Sequence, residues 1–292
     1  MPRFLKYNIL KDIFPGSLNM KRYTIQSLNK RVFIITEHYA DDFLINMGLV
    51  IGFEKAALID TGMGVFGDEL KKLVGSLTNL PVICLLTHGH PDHIAGSVLF
   101  ETAYMNERDL AQISRLDPKK RLGDVSDFCH NNPDIMEYAE THILDCSGFT
   151  CLPAAEGDSF DLGGITIDTV ELPGHSAGSL AFMINSEKIA FSGDAFGPFV
   201  PASWITSREL FREMADCIGS FLKESENYTV IGGHLKEPVP RKLMEYEMCA
   251  AREIADGLTD QDEKVHIPIS PVPNQKRHRY KSISVTYREE LE

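Results

Sequence analysis

The stretch Thr87–Gly96 reads THGHPDHIAG and carries three histidines and one aspartate within six residues. The whole chain has ten histidines, so this segment holds a disproportionate share of them. It directly follows Val82–Leu86, a continuous apolar run that is typical of a strand buried on both faces. Imidazole and carboxylate groups are common ligands of zinc and similar ions. The stretch therefore predicts a metal site where this strand ends.

The spacing within the stretch suggests two groups of ligands. His88 and His90 stand two residues apart on a chain that leaves a strand, so both rings can point to one side. Asp92 and His93 come after a turn imposed by Pro91, and they can face a second ion a short distance away. This segment alone supports a metal site and says nothing of a substrate.

Three more potential metal ligands occur later in the chain, and each one directly follows a run of residues that is typical of a strand. His175 lies in LPGHSAGS, Asp194 ends KIAFSGD, and His234 follows TVIGG. Because active sites on open sheets are built at the carboxyl ends of strands, we expect these side chains to meet the histidines of THGHPDH. Seven ligands of this kind suit two metal ions with Asp194 between them.

Charge and composition bear on partners and location. The formal charge of −13 repels phosphate backbones, so no nucleic-acid partner is expected. No apolar run is long enough for a membrane span, and the first residues make a poor signal peptide. The six cysteines form no C-x-x-C pair, which favours reduced thiols and a cytoplasmic location. The expected partner is a small-molecule substrate, and a homo-oligomer stays open.

Both halves of the chain show strands followed by a helix, which predicts two sheet-and-helix layers packed with the sheets inside. Pro118 and Pro133 are predicted to begin helices. In the tail, KSISVTY alternates like an edge strand. The predicted organisation is an N-terminal extension (1–20), a main domain (21–258) with a helical insert at about 101–145, and a C-terminal tail (259–292).

These motifs resemble those of the metallo-β-lactamase superfamily over roughly residues 20–250. The matching pieces are LIDTG, THGHPDH, LPGHSAGS, FSGD and GGH. The resemblance implies an α/β (α+β) fold, the four-layer αβ/βα sandwich, with a metal site at one edge between the sheets. It implies the following ligand sets: His88, His90 and His175 for a first ion, Asp92, His93 and His234 for a second, Asp194 bridging both, and Asp60 hydrogen-bonded beside them.

The resemblance also implies a hydrolase in which two divalent ions, zinc or else iron or manganese, turn a water into hydroxide for attack on an ester, thioester or lactone. Asp92 and Asp194 are then the catalytic carboxylates that accept or relay the proton. Asp194 stands where some β-lactamases have a cysteine ligand, and Ala195–Gly197 lacks the tyrosine of the similar lactonases. Glyoxalase II and other thioester hydrolases share the ligand set.

Other chemistries of the superfamily stay open. Persulfide dioxygenases use one iron, held by residues that correspond to His88, His175 and Asp194. Phosphodiesterases use two ions as well, although the acidic charge of this chain disfavours that interpretation. A metal-binding protein without activity is the remaining alternative.

Substrate selection is expected to depend on loops around the ions. The candidates are aromatic: Tyr39 and Phe43 on an early loop, and Phe196, Phe199 and Trp204 after Asp194. The helical insert is expected to form one wall of the substrate pocket. An aromatic rim of this kind suits an apolar or acyl group.

Overall fold

Short runs of aliphatic residues build a seven-stranded sheet in the first half of the chain. The computed structural model describes residues 22–267 and 272–292, so the predicted extension 1–20 lies outside the described residues. Strands β1 to β4 are antiparallel, and β4 to β7 are parallel. In chain order the strands are β1 (Tyr23–Ser27), β2 (Val32–His38), β3 (Leu44–Ile51), β4 (Ala56–Ile59), β5 (Val82–Leu85), β6 (Thr102–Met105) and β7 (Leu152–Pro153).

A five-stranded second sheet has the order β13-β11-β10-β9-β8. Strand β11 is parallel to β13, so the residues that follow these two strands emerge at the same edge of the sheet. Strands β9 and β10 are antiparallel, and the loop between them lies at that edge too. The strands are β8 (Ser159–Asp161), β9 (Thr166–Glu171), β10 (Leu180–Ile184), β11 (Ile189–Gly193) and β13 (Thr229–Gly232).

The two sheets pack face to face around a dry core. Val32, Val50 and Ile59 of the first sheet belong to one buried cluster with Phe182 and Phe191 of the second. Helices cover the outer faces, and their apolar sides join two further clusters. This arrangement of helix, sheet, sheet and helix confirms the predicted four-layer sandwich. The α-helices are α1 (Gly67–Leu77), α2 (Pro91–Ile94), α3 (Pro118–Phe128), α4 (Pro133–His142), α5 (Arg208–Glu224) and α6 (Arg241–Ala255).

The helical insert matches its prediction in part. A 3₁₀ helix, Glu107–Leu116, precedes α3 and α4, which begin at Pro118 and Pro133 as predicted. Each proline lies in the first helical turn, where its missing N–H costs no hydrogen bond. The stretch Thr102–Met105, predicted as part of the insert, is instead β6 and pairs with β5 and β7. Its four residues are too few to show strand periodicity.

A third, four-stranded sheet has the order β12-β16-β15-β14. The prediction of an edge strand in the tail is wrong, because β16 pairs with β12 on one side and with β15 on the other. The partner β12 has only three residues, too short to be recognised from sequence. The strands of this sheet are β12 (Phe199–Pro201), β14 (Glu263–Val265), β15 (Gln275–Tyr280) and β16 (Ile283–Arg288).

A membrane-spanning helix must be both long and apolar. Within 22–267 and 272–292, no helix meets both requirements for crossing a bilayer. The cytoplasmic location remains a prediction.

Gly52 lets the turn after β3 approach the turn after β8. A Cβ at Gly52 would lie 1.9 Å from the carbonyl oxygen of Leu162, which also accepts hydrogen bonds from Glu54 and Lys55. We expect Gly52→Ala to lower the free energy of unfolding by about 1–3 kcal/mol, because the backbone must shift to relieve the overlap.

Gly123→Ala is the matched control, since Gly123 lies within α3 and a Cβ there would meet no heavy atom within 4 Å. This variant should gain about 0.5–1 kcal/mol, because alanine is the better helix former. Urea unfolding of both variants measures the difference. Equal stabilities would contradict the close packing inferred at Gly52.

Candidate metal centre

The predicted ligands meet at one edge of the sandwich, between the two sheets. Each one follows a strand, as the sequence suggests, because parallel strands deliver their carboxyl ends to the same edge. His88 and His90 follow β5, Asp92 and His93 lie on α2, His175 lies between β9 and β10, Asp194 follows β11, and His234 follows β13. Their ligand atoms form three overlapping groups, within each of which all atoms lie within 4.8 Å of one another.

The first group consists of the imidazoles of His88, His90 and His175. The Nδ1 atom of His90 lies 3.0 Å from Nε2 of His88 and 2.8 Å from Nε2 of His175. One ring nitrogen of His90 cannot pair with both neighbours through a single proton. A cation held between the three nitrogens would satisfy all of them, and neutral imidazole is the form that binds metal.

Another group consists of Asp92, His93 and His234, so it combines carboxylate oxygens with imidazoles. We call it the second group. Nε2 of His234 lies 3.3 Å from Oδ2 of Asp92, and Nε2 of His93 lies 3.5 Å from the same oxygen. Asp194 stands between the two groups. Its Oδ2 is 3.5 Å from His175 and 3.1 Å from His234, while its Oδ1 is 3.4 Å from His93. Asp194 therefore faces ligands of both groups.

Burial and charge set different protonation states in the two groups. Burial lowers the pKa of His88, His90 and His175 and keeps these rings neutral. Burial also opposes the charged form of His234, but Asp194 and Asp92 outweigh it and raise the pKa to about 10.

The carboxylates of the second group stay ionised. Burial alone would raise the pKa of Asp194, yet His234 and His93 beside it hold the pKa well below its usual range. The pKa of Asp92 is likewise lowered by His93 and His234 against the effect of burial. The edge of the sandwich thus combines neutral imidazoles with buried negative charge, which is the chemistry of a cation site.

Two buried atoms test whether a metal fits. Nε2 of His93 and Oδ1 of Asp194 are shielded from solvent and lie 3.4 Å apart, and neither makes a well-formed hydrogen bond within the described part of the chain. Buried polar atoms are nearly always paired, so these two ask for a partner that the protein does not supply. The residues therefore fit divalent cations, and imidazole and carboxylate ligands accept zinc, iron or manganese alike.

Asp60 holds two residues of this site, Thr87 and His93, in place through hydrogen bonds. One of its carboxylate oxygens accepts from the backbone N–H of Thr87 (2.8 Å), and the other accepts from the Thr87 hydroxyl (2.8 Å). The second oxygen also lies 2.8 Å from Nδ1 of His93. With a proton on Nδ1 facing Asp60, His93 would present its Nε2 lone pair to a cation held on the side of Asp92 and Asp194. A carboxylate behind a ligating histidine sets its tautomer and orientation in this way.

A cavity of about 910 Å³ opens over the ligands, and aromatic side chains line much of it. Four of the five predicted pocket residues take part, namely Phe43, Phe196, Phe199 and Trp204. The indole N–H of Trp204 donates to the carbonyl of Gly174 (2.7 Å), beside His175.

The prediction for Tyr39 is wrong, because its side chain is only 2% exposed and points into the core instead of the cavity. Its ring packs 5.5 Å from that of Phe66. The loop around Tyr39 is polar, which suggested exposure, yet its side chain faces the helices that cover the first sheet.

The helical insert forms a wall of the cavity, as expected. It contributes Phe128, whose ring stacks on Phe43 at 3.9 Å, together with Arg108 and Arg115. Arg288 of β16 also lines the cavity. None of these four residues was predicted, because the contacts that bring them to the site join distant parts of the chain.

We expect Asp60→Asn to weaken metal binding by about 10–100-fold, which is the usual effect of changing a residue that hydrogen-bonds to a metal-binding side chain. The φ angle of Asp60 is +59°, and asparagine also tolerates this conformation. The amide group of asparagine would, however, donate to Nδ1 of His93 and leave the proton on Nε2.

Zinc titration of the metal-stripped variant against a chelating dye measures the effect. Asp117→Asn is the control, since Asp117 caps an exposed helix start where asparagine serves equally well. Unchanged zinc affinity in Asp60→Asn would contradict the role given to Asp60.

Known proteins resemble this chain in sequence and in fold. The sequence profile of the metallo-beta-lactamase superfamily matches residues 40–234. Acyl-coenzyme A thioesterase MBLAC2 of Gallus gallus is 25% identical over 205 residues, which make up 65% of this chain and 72% of that protein. Hydroxyacylglutathione hydrolase GloC of Haemophilus influenzae is 27% identical over 163 residues, 52% of this chain and 66% of that protein.

Solved structures share the architecture. A metallo-beta-lactamase family protein of Thermus thermophilus superposes with a TM-score of 0.57 at 20% identity, over 81% of this chain and 85% of that one. This likeness concerns the fold alone. The profile match covers two thirds of the sequence and includes every predicted ligand from His88 to His234. The chain therefore belongs to the metallo-β-lactamase superfamily, and the resemblance drawn from its motifs is confirmed.

Proposed function

We propose that the protein is a metal-dependent hydrolase that cleaves thioesters of acyl groups joined to an anionic thiol. One observation carries the proposal: the predicted ligands open into a cavity that is lined by aromatic rings and by arginines. The relatives MBLAC2 and GloC, whose names describe thioester hydrolases, support the reaction class. Both coenzyme A and glutathione are anionic thiols. Ester and lactone hydrolysis would use the same ligands.

The proposed ligands are His88, His90 and His175 in one group, Asp92, His93 and His234 in the other, and Asp194 between them. A divalent cation held there supplies Lewis acidity, which makes water nucleophilic near neutral pH and polarises a carbonyl oxygen. The remaining steps concern the chain's own side chains.

The carboxylates of Asp92 and Asp194 are placed to accept a proton from the attacking water. Both are ionised in this site, because the neighbouring histidines lower their pKa. As the carbon–oxygen bond forms, the carbon–sulfur bond breaks, and the proton passes from the carboxylate to the departing thiolate.

The aromatic wall would hold the acyl group and exclude water from it. Phe43 and Phe128 form a stacked pair at the cavity. Phe199 and Trp204, which come after Asp194 in the sequence, line it as well. Arg108 and Arg115 line the same cavity, where an anionic thiol carrier could bind, and Arg108 also lies 3.4 Å from the carboxylate of Glu171. The cavity thus offers both apolar and cationic side chains, which favours a substrate with one end of each kind.

The variant His88→Ala/Asp194→Ala should lose metal-dependent hydrolysis of acyl-coenzyme A and acyl-glutathione by more than about 10³-fold, since it removes a ligand and a proton acceptor together. A chelator should abolish wild-type turnover, and added zinc should restore it. His142→Ala, at an exposed position of α4, should keep full turnover.

The same panel discriminates the alternatives. Unchanged thioester hydrolysis in the double variant would refute the proposal, and so would a wild-type protein that contains one iron and consumes oxygen instead of hydrolysing thioesters. Faster cleavage of phosphodiesters than of thioesters would favour the phosphodiesterase alternative.

Phe199 offers a test of the acyl pocket, because its side chain is 41% exposed at the cavity. We expect Phe199→Ala to lower kcat/KM for a long-chain acyl thioester about ten-fold relative to the acetyl thioester, owing to lost apolar contact. Metal content should not change.

Phe53→Ala is the matched control, since Phe53 is 71% exposed and does not line the cavity. An equal effect of both substitutions on chain-length preference would contradict an acyl site at Phe199.

A further inference from the structure

Asp109 is a buried carboxylate of the helical insert that no motif pointed to. It lies in the 3₁₀ helix Glu107–Leu116, and 1% of it is exposed. We infer that Asp109 is a positioning residue that joins the two loops carrying His88, His90 and His175. The inference rests on the metal centre of the proposed function and is independent of which substrate is cleaved there.

Three hydrogen bonds carry the inference. One oxygen of Asp109, Oδ2, accepts from the backbone N–H of Gly89 (2.8 Å) and from the hydroxyl of Ser176 (2.7 Å). The other oxygen, Oδ1, accepts from the backbone N–H of Gly178 (2.8 Å). Gly89 lies between the ligands His88 and His90, and Ser176 directly follows His175. A single carboxylate therefore connects every loop that supplies the first ligand group.

Close packing at two glycines supports the same role. A Cβ at Gly89 would lie 2.9 Å from both Cβ and the carbonyl oxygen of Asp109, and a Cβ at Gly178 would lie 2.8 Å from its Cγ. Real side chains do not tolerate contacts this short. The glycines in THGHPDH and LPGHSAGS thus leave the space that Asp109 occupies.

A second buried side chain also attaches the insert to the rest of the protein, through one bond to Met63 outside the insert and two bonds within it. The guanidinium of Arg121 donates to the carbonyls of Leu116 (3.1 Å), Met63 (3.0 Å) and Leu144. Arg121 lies on α3 and is fully buried. The insert therefore has an attachment that does not involve Asp109.

The chemistry of the three bonds demands a carboxylate. All three partners are donors, and they require acceptors at both oxygens of Asp109. Asparagine has the same shape but one acceptor oxygen, so its amide group would face a donor. We therefore expect Asp109→Asn to weaken metal binding at His88, His90 and His175 about 10–100-fold while the protein remains folded.

The experiment isolates each ligand group by substitution. His234→Ala leaves the first group intact, and His90→Ala leaves the second intact. Asp109→Asn is added to each, and the metal-stripped proteins are titrated with zinc against a chelating dye. Affinity should fall about 10–100-fold in the His234→Ala background and by less than about two-fold in the His90→Ala background. Asp117→Asn, the same change at an exposed position of the insert, should alter neither affinity.

Folding is checked by urea unfolding of each metal-free protein. Ser176→Ala, which removes one of the three bonds and keeps the carboxylate, should produce a smaller loss in the His234→Ala background. If Asp109→Asn does not fold, this variant decides, and wild-type affinity in it would overturn the inference. An unchanged affinity in Asp109→Asn, or equal losses in both backgrounds, would also overturn it. These results do not depend on thioester turnover, which tests the proposed function separately.

Discussion

Five imidazoles and two carboxylates lie together at one edge of the sandwich, three of them buried and four partly buried, and the cost of removing them from water constrains everything around them. His88, His90 and His175 meet this cost by remaining neutral. Asp92 and Asp194 remain charged because His93 and His234 beside them lower their pKa against the effect of burial. A site with this distribution of charge is stable only while each side chain keeps its place, so the surrounding structure must hold seven groups within a few ångströms.

The sheets meet much of that requirement through strand direction alone. Parallel pairing of β4 with β5, and of β11 with β13, brings Asp60, Thr87, Asp194 and Gly233 to one edge. Loops lack the backbone hydrogen bonds that join neighbouring strands. At this site, buried carboxylates accept hydrogen bonds from the loops instead. Asp60 holds Thr87 and His93, and Asp109 holds the backbone at Gly89 and Gly178. Both use the oxygens of an acidic side chain as a substitute for backbone pairing.

The sequence was sufficient to predict those features of the site that depend on residues near one another along the chain. Ligands that follow apolar runs had to meet at a sheet edge, which is why their clustering was predictable from THGHPDH, His175, Asp194 and His234. It was insufficient where contacts join distant residues. Asp109 contacts partners 20 and 69 positions away, and nothing near it in sequence marks it as special. Strands β6 and β12 are short enough to lack periodicity, and Tyr39 belongs to a polar loop yet turns inward.

The pairing of β12 with β16 has a consequence for the order in which the protein becomes functional during synthesis. All of the predicted metal ligands have been made once the chain reaches His234, whereas Phe199 on the cavity wall pairs with Ser284 of β16. Domains form as their residues leave the ribosome, so the ligand edge can assemble before the wall above it is anchored. A nascent chain would then acquire its ion-binding groups first and its substrate selectivity last.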